Sequence, residues 1–151
     1  MISSARRRFY QQFARVHGAL LIRTKGRPRW LGWRQTALVL ETVGRRTGEL
    51  RQLPLLCLRY GDAFVVLASN YGQERPPAWW FNLEAQPDCQ VLWDGRRIPV
   101  RARVSAGDER AKLVERGCAY NSNWHDYLTT VEREIPLVVL ERRPVDQPAP
   151  D

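Results

Sequence analysis

Short apolar runs separated by two-residue turn signals constrain what this chain can fold into more than any other feature. Asp94-Gly95, one of the strongest short hairpin signals, lies between the runs Gln90–Trp93 and Arg97–Val104. Gly61-Asp62 marks a second tight reversal between two β-rich runs. Because such turns join antiparallel neighbours, the sequence predicts an antiparallel sheet.

Four further strands and a few helices complete the predicted secondary structure. The strands are predicted at Thr36–Val43, Leu50–Tyr60, Ala63–Ser69 and Ile135–Glu141. Pro76-Pro77 can begin a helix, because the amide that proline lacks has no partner in a first turn, and Pro87 ends it. Asp108–Ala119 is compatible with a helix, and Asn121–Thr130 with a turn or short helix. About six short strands without regular crossovers predict a mainly β, α+β fold: an antiparallel barrel or sandwich with flanking helices.

The N-terminal part of the chain predicts a basic amphipathic helix over Ser3–Leu21. Apolar residues recur there at helical spacing with arginines beside them: Phe9, Phe13, Val16 and Leu20. Such a helix can pack against the domain, and it can also lie on an anionic membrane surface. The predicted organisation is this helix with a basic connection over residues 1–34, a β-barrel domain over 35–142 and a loose tail over 143–151.

Composition bounds the partners and the compartment. The formal net charge is +8 and comes mainly from arginine, whose planar fork suits nucleic acid, anionic lipid or a phosphorylated cofactor. The 3 cysteines are far apart and form no C-x-x-C pair, so neither a disulfide framework nor a zinc site is indicated and a reducing cytoplasm fits best. The sequence predicts no membrane-spanning segment, no export signal and no metal site.

The stretch VGRRTGELRQLP, Val43–Pro54, places three arginines where two strands need only a turn. The sequence contains no G-x-G-x-x-G and no G-x-x-x-x-G-K-[ST] motif, so phosphate binding would not use a glycine-rich loop. An anion would instead be bound by arginine side chains and turn amides. The stretch therefore predicts an anion-binding turn.

Three stretches, in this order and spacing, resemble one protein family: LVLETVGRRTGELRQLPL, FVVLASNYGQERPPAWWFNLEAQPDCQV and IPLVVLE. Over Leu20–Leu140 the chain is similar to the deazaflavin (F420)-dependent nitroreductases, which include the F420H2-dependent quinone reductase group of the split β-barrel, flavin-binding-like superfamily. The resemblance implies a split antiparallel β-barrel and the cofactor F420, with FMN as the alternative cofactor.

The arginine turn matches the family's G-R-[KR]-[ST]-G-x-x-R turn, which binds the phosphate of F420. The match implies that Arg45, Arg46, Thr47 and Arg51 contact that anion, and that Pro54 lies beside the deazaflavin ring. The physical chemistry agrees with the match, because a guanidinium fork fits the paired oxygens of a phosphodiester.

A second cofactor segment follows the third strand. The family usually has Ala-Ser-Lys-Gly-Gly there, and this chain begins Ala68, Ser69, Asn70, which the resemblance places at the cofactor. Asn70 replaces the family's basic residue, so it keeps hydrogen bonds but loses a charge, for which Arg75 could compensate. Trp79 matches the tryptophan of the family's P-x-W-x-x-N-L segment, which packs near the ribityl and phosphate part of the cofactor.

The resemblance implies a substrate pocket lined by Ala78, Trp124 and Tyr127. Ala78 replaces a larger apolar residue. Trp124 stands where a tyrosine is expected, which weakens the case for nitroimidazole reduction and leaves an aromatic face to stack on a quinone. Ser69 and Tyr127 are the candidates to orient or protonate the acceptor, and solvent could supply the proton equally well. The two histidines of the chain are more typical of satisfied surface or core groups.

The resemblance implies an F420H2-dependent reductase that transfers a hydride to a quinone, an activated alkene or a nitro compound. Two alternatives stay open: a split-barrel binder of FMN, haem or fatty acid, and, less favoured, a basic nucleic-acid-binding barrel with exposed tryptophans. The expected protein is a cytoplasmic monomer or homodimer without a nucleic-acid partner. Peripheral contact with an anionic membrane through the N-terminal helix is a further option.

Overall fold

Six antiparallel strands form a closed barrel in the computed structural model, which describes residues 8, 15–16, 18–27 and 36–144. The strands are β1 (Thr36–Val43), β2 (Leu50–Tyr60), β3 (Ala63–Leu67), β4 (Asp88–Trp93), β5 (Arg96–Val104) and β6 (Leu137–Arg142). The order around the barrel is β1-β2-β3-β6-β5-β4. Of the two predicted architectures, the barrel is therefore confirmed.

Three helices flank the barrel: α1 (Ala78–Ala85), α2 (Gly107–Tyr120) and α3 (Ser122–Thr130). Residues 18–23 are also helical, as are residues 8 and 15–16 of the predicted N-terminal helix. The rest of that prediction, most of the basic connection and residues 145–151 of the predicted tail lie outside the described residues. Within the part of the chain that is described, no helix combines the length and apolarity needed to cross a bilayer.

Alternation along each strand separates an inner from an outer set of side chains. The inner set fills the barrel, and α1 adds Trp79 and Leu83 to it. Its strand members include Leu38, Leu40, Phe64, Val66, Val91, Val100, Val138 and Leu140. The barrel interior is thus a packed apolar core, closed at one end by α1.

The outer faces of β3 and β6 are covered by α2 and α3. Val65 and Val139 pack there with Leu113 of α2 and Trp124 of α3. Trp124 is only 4% exposed, and Gly117 of α2 provides the space for its indole ring. The expectation that Trp124 stacks on a substrate is therefore corrected: the indole packs in this outer cluster and presents no free face.

The N-terminal helical residues cover the outer face of β1. Leu21 is buried in a third cluster with Val39 of β1 and Leu92 of β4. Gly18 lies against Pro54 of β2, since a methyl group built on Gly18 would approach Pro54 Cγ to 2.9 Å. The helical segment is therefore packed on the barrel at these residues, one of the two roles predicted for it.

The two neighbours of β2 pair with it to different extents. β1 pairs with β2 over the whole of Thr36–Val43, whereas β3 pairs only with Leu58, Arg59 and Tyr60. The β1–β2 hairpin therefore extends past the paired part of β3. The turn at its tip is the arginine-rich stretch singled out in the sequence.

The predicted boundaries of β1, β2 and α1 agree with the structure. β3 ends at Leu67 and not at Ser69, because Ser69 has αR backbone angles that lead into a left-handed turn. β4 begins two residues before the predicted start, at Asp88. The segment after α2, predicted as a turn or short helix, is the helix α3.

The contact between α2 and Trp124 predicts an unusual result for Gly117→Ala. Alanine normally stabilises a helix by about 1 kcal/mol relative to glycine. A Cβ at residue 117 would overlap Trp124 Cε3, so we expect overpacking to prevail and to lower the free energy of unfolding by about 1–3 kcal/mol. Urea unfolding measures the change, with the exposed Glu115→Ala on the same helix as control. A stabilised Gly117→Ala variant would contradict this packing.

Candidate functional site

The turn between β1 and β2 is closed by its own backbone. Gly44 N donates to Glu49 O at 2.8 Å, and Gly48 N donates to Gly44 O at 2.8 Å. Thr47 Oγ1 accepts from the amide of Glu49 at 3.2 Å. A Cβ on Gly44 would lie 2.7 Å from Thr47 Oγ1, so glycine is what allows the hydroxyl to fold over the backbone here.

The charges of this turn are only partly compensated. Arg51 Nη2 lies 2.9 Å from Glu49 Oε2, and it donates to Thr47 Oγ1 at 3.5 Å. Arg45 places its guanidinium carbon 4.7 Å from the centre of the Phe81 ring. Arg46 makes no hydrogen bond or ion pair with any residue that the structure describes. Three guanidinium groups against one carboxylate leave the turn strongly cationic.

Asn82 of α1 ties the turn to the barrel. Its Oδ1 accepts from the amide of Arg45 at 3.1 Å, and its Nδ2 donates to Thr42 Oγ1 at 3.1 Å. Both Asn82 and Thr42 are buried, so these bonds are shielded from water. Asn82 completes the P-x-W-x-x-N-L segment, which favours a structural role for it, and its two bonds are of that kind.

Two predicted residues of α1 have different environments. Trp79 is buried in the barrel core, one helical turn from Asn82. Ala78, at the first position of α1, is exposed. Trp79 thus supports the helix that holds the turn, and the contacts of both residues with cofactor and substrate stay predictions.

The segment after β3 forms the second part of the candidate site. Ala68 N donates to Pro136 O at 3.0 Å, and Ser69 is half-buried. Asn70 Nδ2 donates to Arg75 O at 2.8 Å, so this amide stabilises its own loop. The contacts of Ala68, Ser69 and Asn70 with the cofactor stay predictions. Asn70 also has a φ of 48°, a left-handed conformation that asparagine tolerates better than most residues.

Tyr127 of α3 lies against this second part. A methyl group built on Gly72 would be 3.1 Å from Tyr127 Cδ1, which places the aromatic ring beside the turn that follows Ser69. The structure therefore brings the segment of Ser69 and the ring of Tyr127 together. Sequence reasoning missed a further contact, since Arg133 donates from Nη2 to the carbonyl oxygens of Ala68 and Ser69 at 3.1 Å each.

Both parts leave the barrel at the same end. β1 and β3 are each antiparallel to β2 and therefore run in the same direction, so the arginine turn and the segment of Ser69 follow their strands at that end. Pro54 does not join Arg51 on one face of β2, because the two are three residues apart and alternate sides. Pro54 instead faces Gly18, and its predicted place beside the ring stays a prediction.

Several other chemistries find no support among the described residues. No cluster of three or more His, Cys, Asp and Glu side chains that could hold a metal ion occurs there. Burial raises the pKa of the Cys57 and Cys89 thiols to about 12, so neither is a thiolate at neutral pH. Burial also raises the pKa of Cys118. Nucleophilic thiolate catalysis is therefore disfavoured.

A groove of about 370 Å³ lies at the opposite end of the barrel, by the β2–β3 turn. Its lining includes Tyr60, Arg103 and Glu141. Arg103 is held there by Glu109 at 2.5 Å and by Glu141 at 2.6 Å, and these carboxylates raise its pKa. Because this cation is already compensated, the groove suits an anion less well than the arginine turn does.

Comparison with known proteins identifies close relatives. Residues 12–142 match the family described as F420H(2)-dependent quinone reductase. An F420H(2)-dependent quinone reductase of Mycobacterium tuberculosis H37Rv is 35% identical over 139 residues, which cover 87% of this chain and 91% of the relative.

Solved structures share the fold. The structure of an F420-H2-dependent reductase has a TM-score of 0.64 and 26% sequence identity, and the match covers 70% of this chain and 93% of that one. A second structure, described as a domain-swapped dimer, has a TM-score of 0.67 and 23% identity over 87% of this chain and 98% of its own. The second likeness supports the fold alone.

The hydrogen bonds of Asn82 predict that Asn82→Ala lowers the stability of the protein. Asn82→Ala leaves the buried hydroxyl of Thr42 and the amide of Arg45 without their side-chain partner. We expect the free energy of unfolding in urea to fall by about 1–3 kcal/mol. Gln86→Ala, an exposed change just after α1, is the control. Equal stability of the two variants would show that Asn82 does not tie the turn to the barrel.

Proposed function

The chain belongs to the F420H(2)-dependent quinone reductase family, and from that membership we propose that it binds F420H2 at the arginine turn and reduces a quinone. The observation that carries the proposal is the cationic turn between β1 and β2. In it Arg46 has no hydrogen-bond or ion-pair partner among the described residues, and Arg51 is paired with the exposed side chains of Glu49 and Thr47 alone. Such a turn is ready to accept an anionic ligand.

The donors of the turn fit the phosphodiester of F420. Guanidinium groups and the Thr47 hydroxyl are donors of the kind that phosphate oxygens accept from. The missing Cβ of Gly44 leaves room for the Thr47 hydroxyl, which accepts from Glu49 N, and the bond from Arg45 N to Asn82 holds the turn against α1. Arg45, Arg46, Thr47 and Arg51 would therefore hold the cofactor phosphate, as the resemblance implies.

When bound, F420H2 supplies a hydride in a two-electron step. The protein must then orient the acceptor and meet the negative charge that develops on it with a donor. We assign this task to the Ser69 hydroxyl and the Tyr127 phenol, because both lie around the same turn at the end of the barrel where the arginines are. Ala78, exposed at the start of α1, is the third residue that we assign to the acceptor pocket.

The nucleic-acid alternative requires tryptophans on an exposed basic face. The described tryptophans do not have this arrangement, since they are buried or half-buried: Trp79, Trp80, Trp93 and Trp124. A small-molecule acceptor is therefore the favoured partner.

The proposed cofactor site predicts two opposite effects on affinity. Arg46→Ala removes a cation without breaking a hydrogen bond or ion pair with a described residue, so we expect the binding free energy of F420 to weaken by about 1.5–3 kcal/mol without loss of stability. Glu49→Gln removes the carboxylate that competes for Arg51, so we expect about two- to fivefold tighter binding. Arg96→Ala, an equal charge change at the opposite end of the barrel, is the control.

Titration of F420, FMN and haem measures these affinities, and reoxidation of F420H2 by menadione measures turnover. Wild-type protein is expected to bind F420 and to reduce menadione. Absence of F420 binding at tens of micromolar would overturn the function. Unchanged F420 affinity in Arg46→Ala would instead show that the phosphate is bound elsewhere than at Arg46.

We also propose that the N-terminal helical segment contacts an anionic membrane, where quinones are found. Val16 is 72% exposed and Leu20 is 45% exposed, four residues apart, while Leu21 is buried against the barrel. Arg15 and Arg23 are exposed beside them. An outward apolar pair flanked by arginines supports interfacial binding to anionic lipid.

This membrane contact predicts binding to vesicles that contain phosphatidylglycerol. We expect Val16→Gln combined with Leu20→Gln to weaken cosedimentation about tenfold or more, because two apolar side chains no longer enter the lipid. Ala19→Gln, an exposed change in the same segment, is the control. Wild-type protein that binds neither anionic nor neutral vesicles would exclude the contact and leave the reductase function unaffected.

A further inference from the structure

The turn after Ser69 has an unfavourable backbone. Asn70, Tyr71 and Gly72 follow one another with φ angles of 48°, 56° and 74°. Only glycine adopts this left-handed region without steric cost, and a non-glycine residue there costs on the order of 1–3 kcal/mol. Tyr71 has no special tolerance for it. The left-handed turn Asn70–Gly72 therefore needs outside contacts that hold it.

Arg133 provides such contacts on both sides of the left-handed turn. Its Nη2 donates to the carbonyl oxygens of Ala68 and Ser69 at 3.1 Å each, and its Nε donates to Gln73 O at 3.0 Å. One planar guanidinium thus bridges the residues before and after the turn. Bonds from a charged donor are stronger than neutral ones, and those of Arg133 are partly shielded from water.

The segment that carries Arg133 also contacts the left-handed turn elsewhere. Tyr127, at the other side, lies against Gly72, and the amide of Glu132 donates to Glu74 Oε1 at 3.4 Å. Burial lowers the pKa of Arg133, and Glu74 acts in the opposite direction. The end of α3 and the residues after it therefore form one surface that contacts the left-handed turn.

We propose that Arg133 is a positioning residue, whose guanidinium holds the left-handed turn so that Ser69 and Tyr127 keep a fixed separation at the acceptor side of the site. This inference rests on the proposed function for its catalytic consequence. Lysine cannot replace arginine here, because one ammonium group has no planar pair of nitrogens to reach carbonyls on both sides of the turn.

An arginine that only stabilises the fold can be compared with Arg133. Arg110 donates from Nη1 to Ile135 O at 2.9 Å, a contact of the same kind that lies outside the left-handed turn. Arg110→Lys therefore removes an arginine-to-carbonyl bond without releasing the turn, and it serves as the matched control. A role confined to general stability predicts that Arg110→Lys and Arg133→Lys behave alike.

The test compares amide hydrogen exchange and kinetics in Arg133→Lys and Arg110→Lys. The amides of Gly72 and Gln73 are bonded within the turn, so we expect about tenfold faster exchange there in Arg133→Lys and unchanged exchange in residues 44–51. With menadione, kcat is expected to fall about tenfold, equivalent to about 1.4 kcal/mol, while the Kd for F420 changes less, because the arginine turn is held by Asn82 and not by Arg133.

Three outcomes would overturn the proposal: protection of Gly72 and Gln73 that does not change, a kcat equal to that of Arg110→Lys, or faster exchange throughout the barrel. If Arg133→Lys does not fold, Arg133→Gln is measured in the same way. Failure of the wild-type protein to bind F420 would reject the proposed function, whereas exchange at the turn would still decide whether Arg133 holds it.

Discussion

The unequal pairing of β2 determines where a site can form in this barrel. β2 pairs with β1 over eight residues but with β3 over three, so the β1–β2 hairpin continues past the last pair with β3. The arginine turn at its tip therefore needs support from outside the sheet, which Asn82 provides from α1. The chain leaving β3 makes the left-handed turn at the same end. Both parts of the candidate site thus follow strands that run toward the same end of the barrel.

The distribution of charge explains why the net charge of +8 alone did not identify the site. Many arginines are bonded to carboxylates, including Arg97 to the buried Glu41 at 2.7 Å and Arg101 to Asp88 at 2.9 Å. An exposed pair such as Arg101–Asp88 contributes little to stability, but both pairs neutralise their surroundings. Arg45 and Arg46 have no such carboxylate among the described residues. A ligand anion is attracted by this local surplus and not by the total charge.

Local signals made much of the fold predictable. Asp94-Gly95 and Pro76-Pro77 act through the backbone of a few residues, so β4, β5 and α1 followed from the sequence. Barrel closure depends on the pairing of β1 with β4 and of β3 with β6, which are distant along the chain. Local signals therefore left barrel and sandwich open, and the barrel was implied by the family resemblance. Trp124 was misplaced because the packing of α2 on α3 decides its exposure. The role of Arg133 was missed because its partners are backbone carbonyl groups, which every residue has, so no particular residue type marks the contact in the sequence.

The arginine turn follows β1 and the left-handed turn follows β3, so a sequence difference from the family can affect one turn and not the other. The arginine turn keeps the family pattern, whereas Asn70, where the family usually has lysine, lies in the left-handed turn. Asparagine fits a φ of 48°, and its amide bonds to Arg75 O, so this departure gives up a charge and stabilises a conformation. A change confined to this turn leaves the bond between Asn82 and Arg45 intact. Under the roles proposed for the two parts, a change in the left-handed turn can therefore alter the acceptor side while the support of the arginine turn by Asn82 is kept.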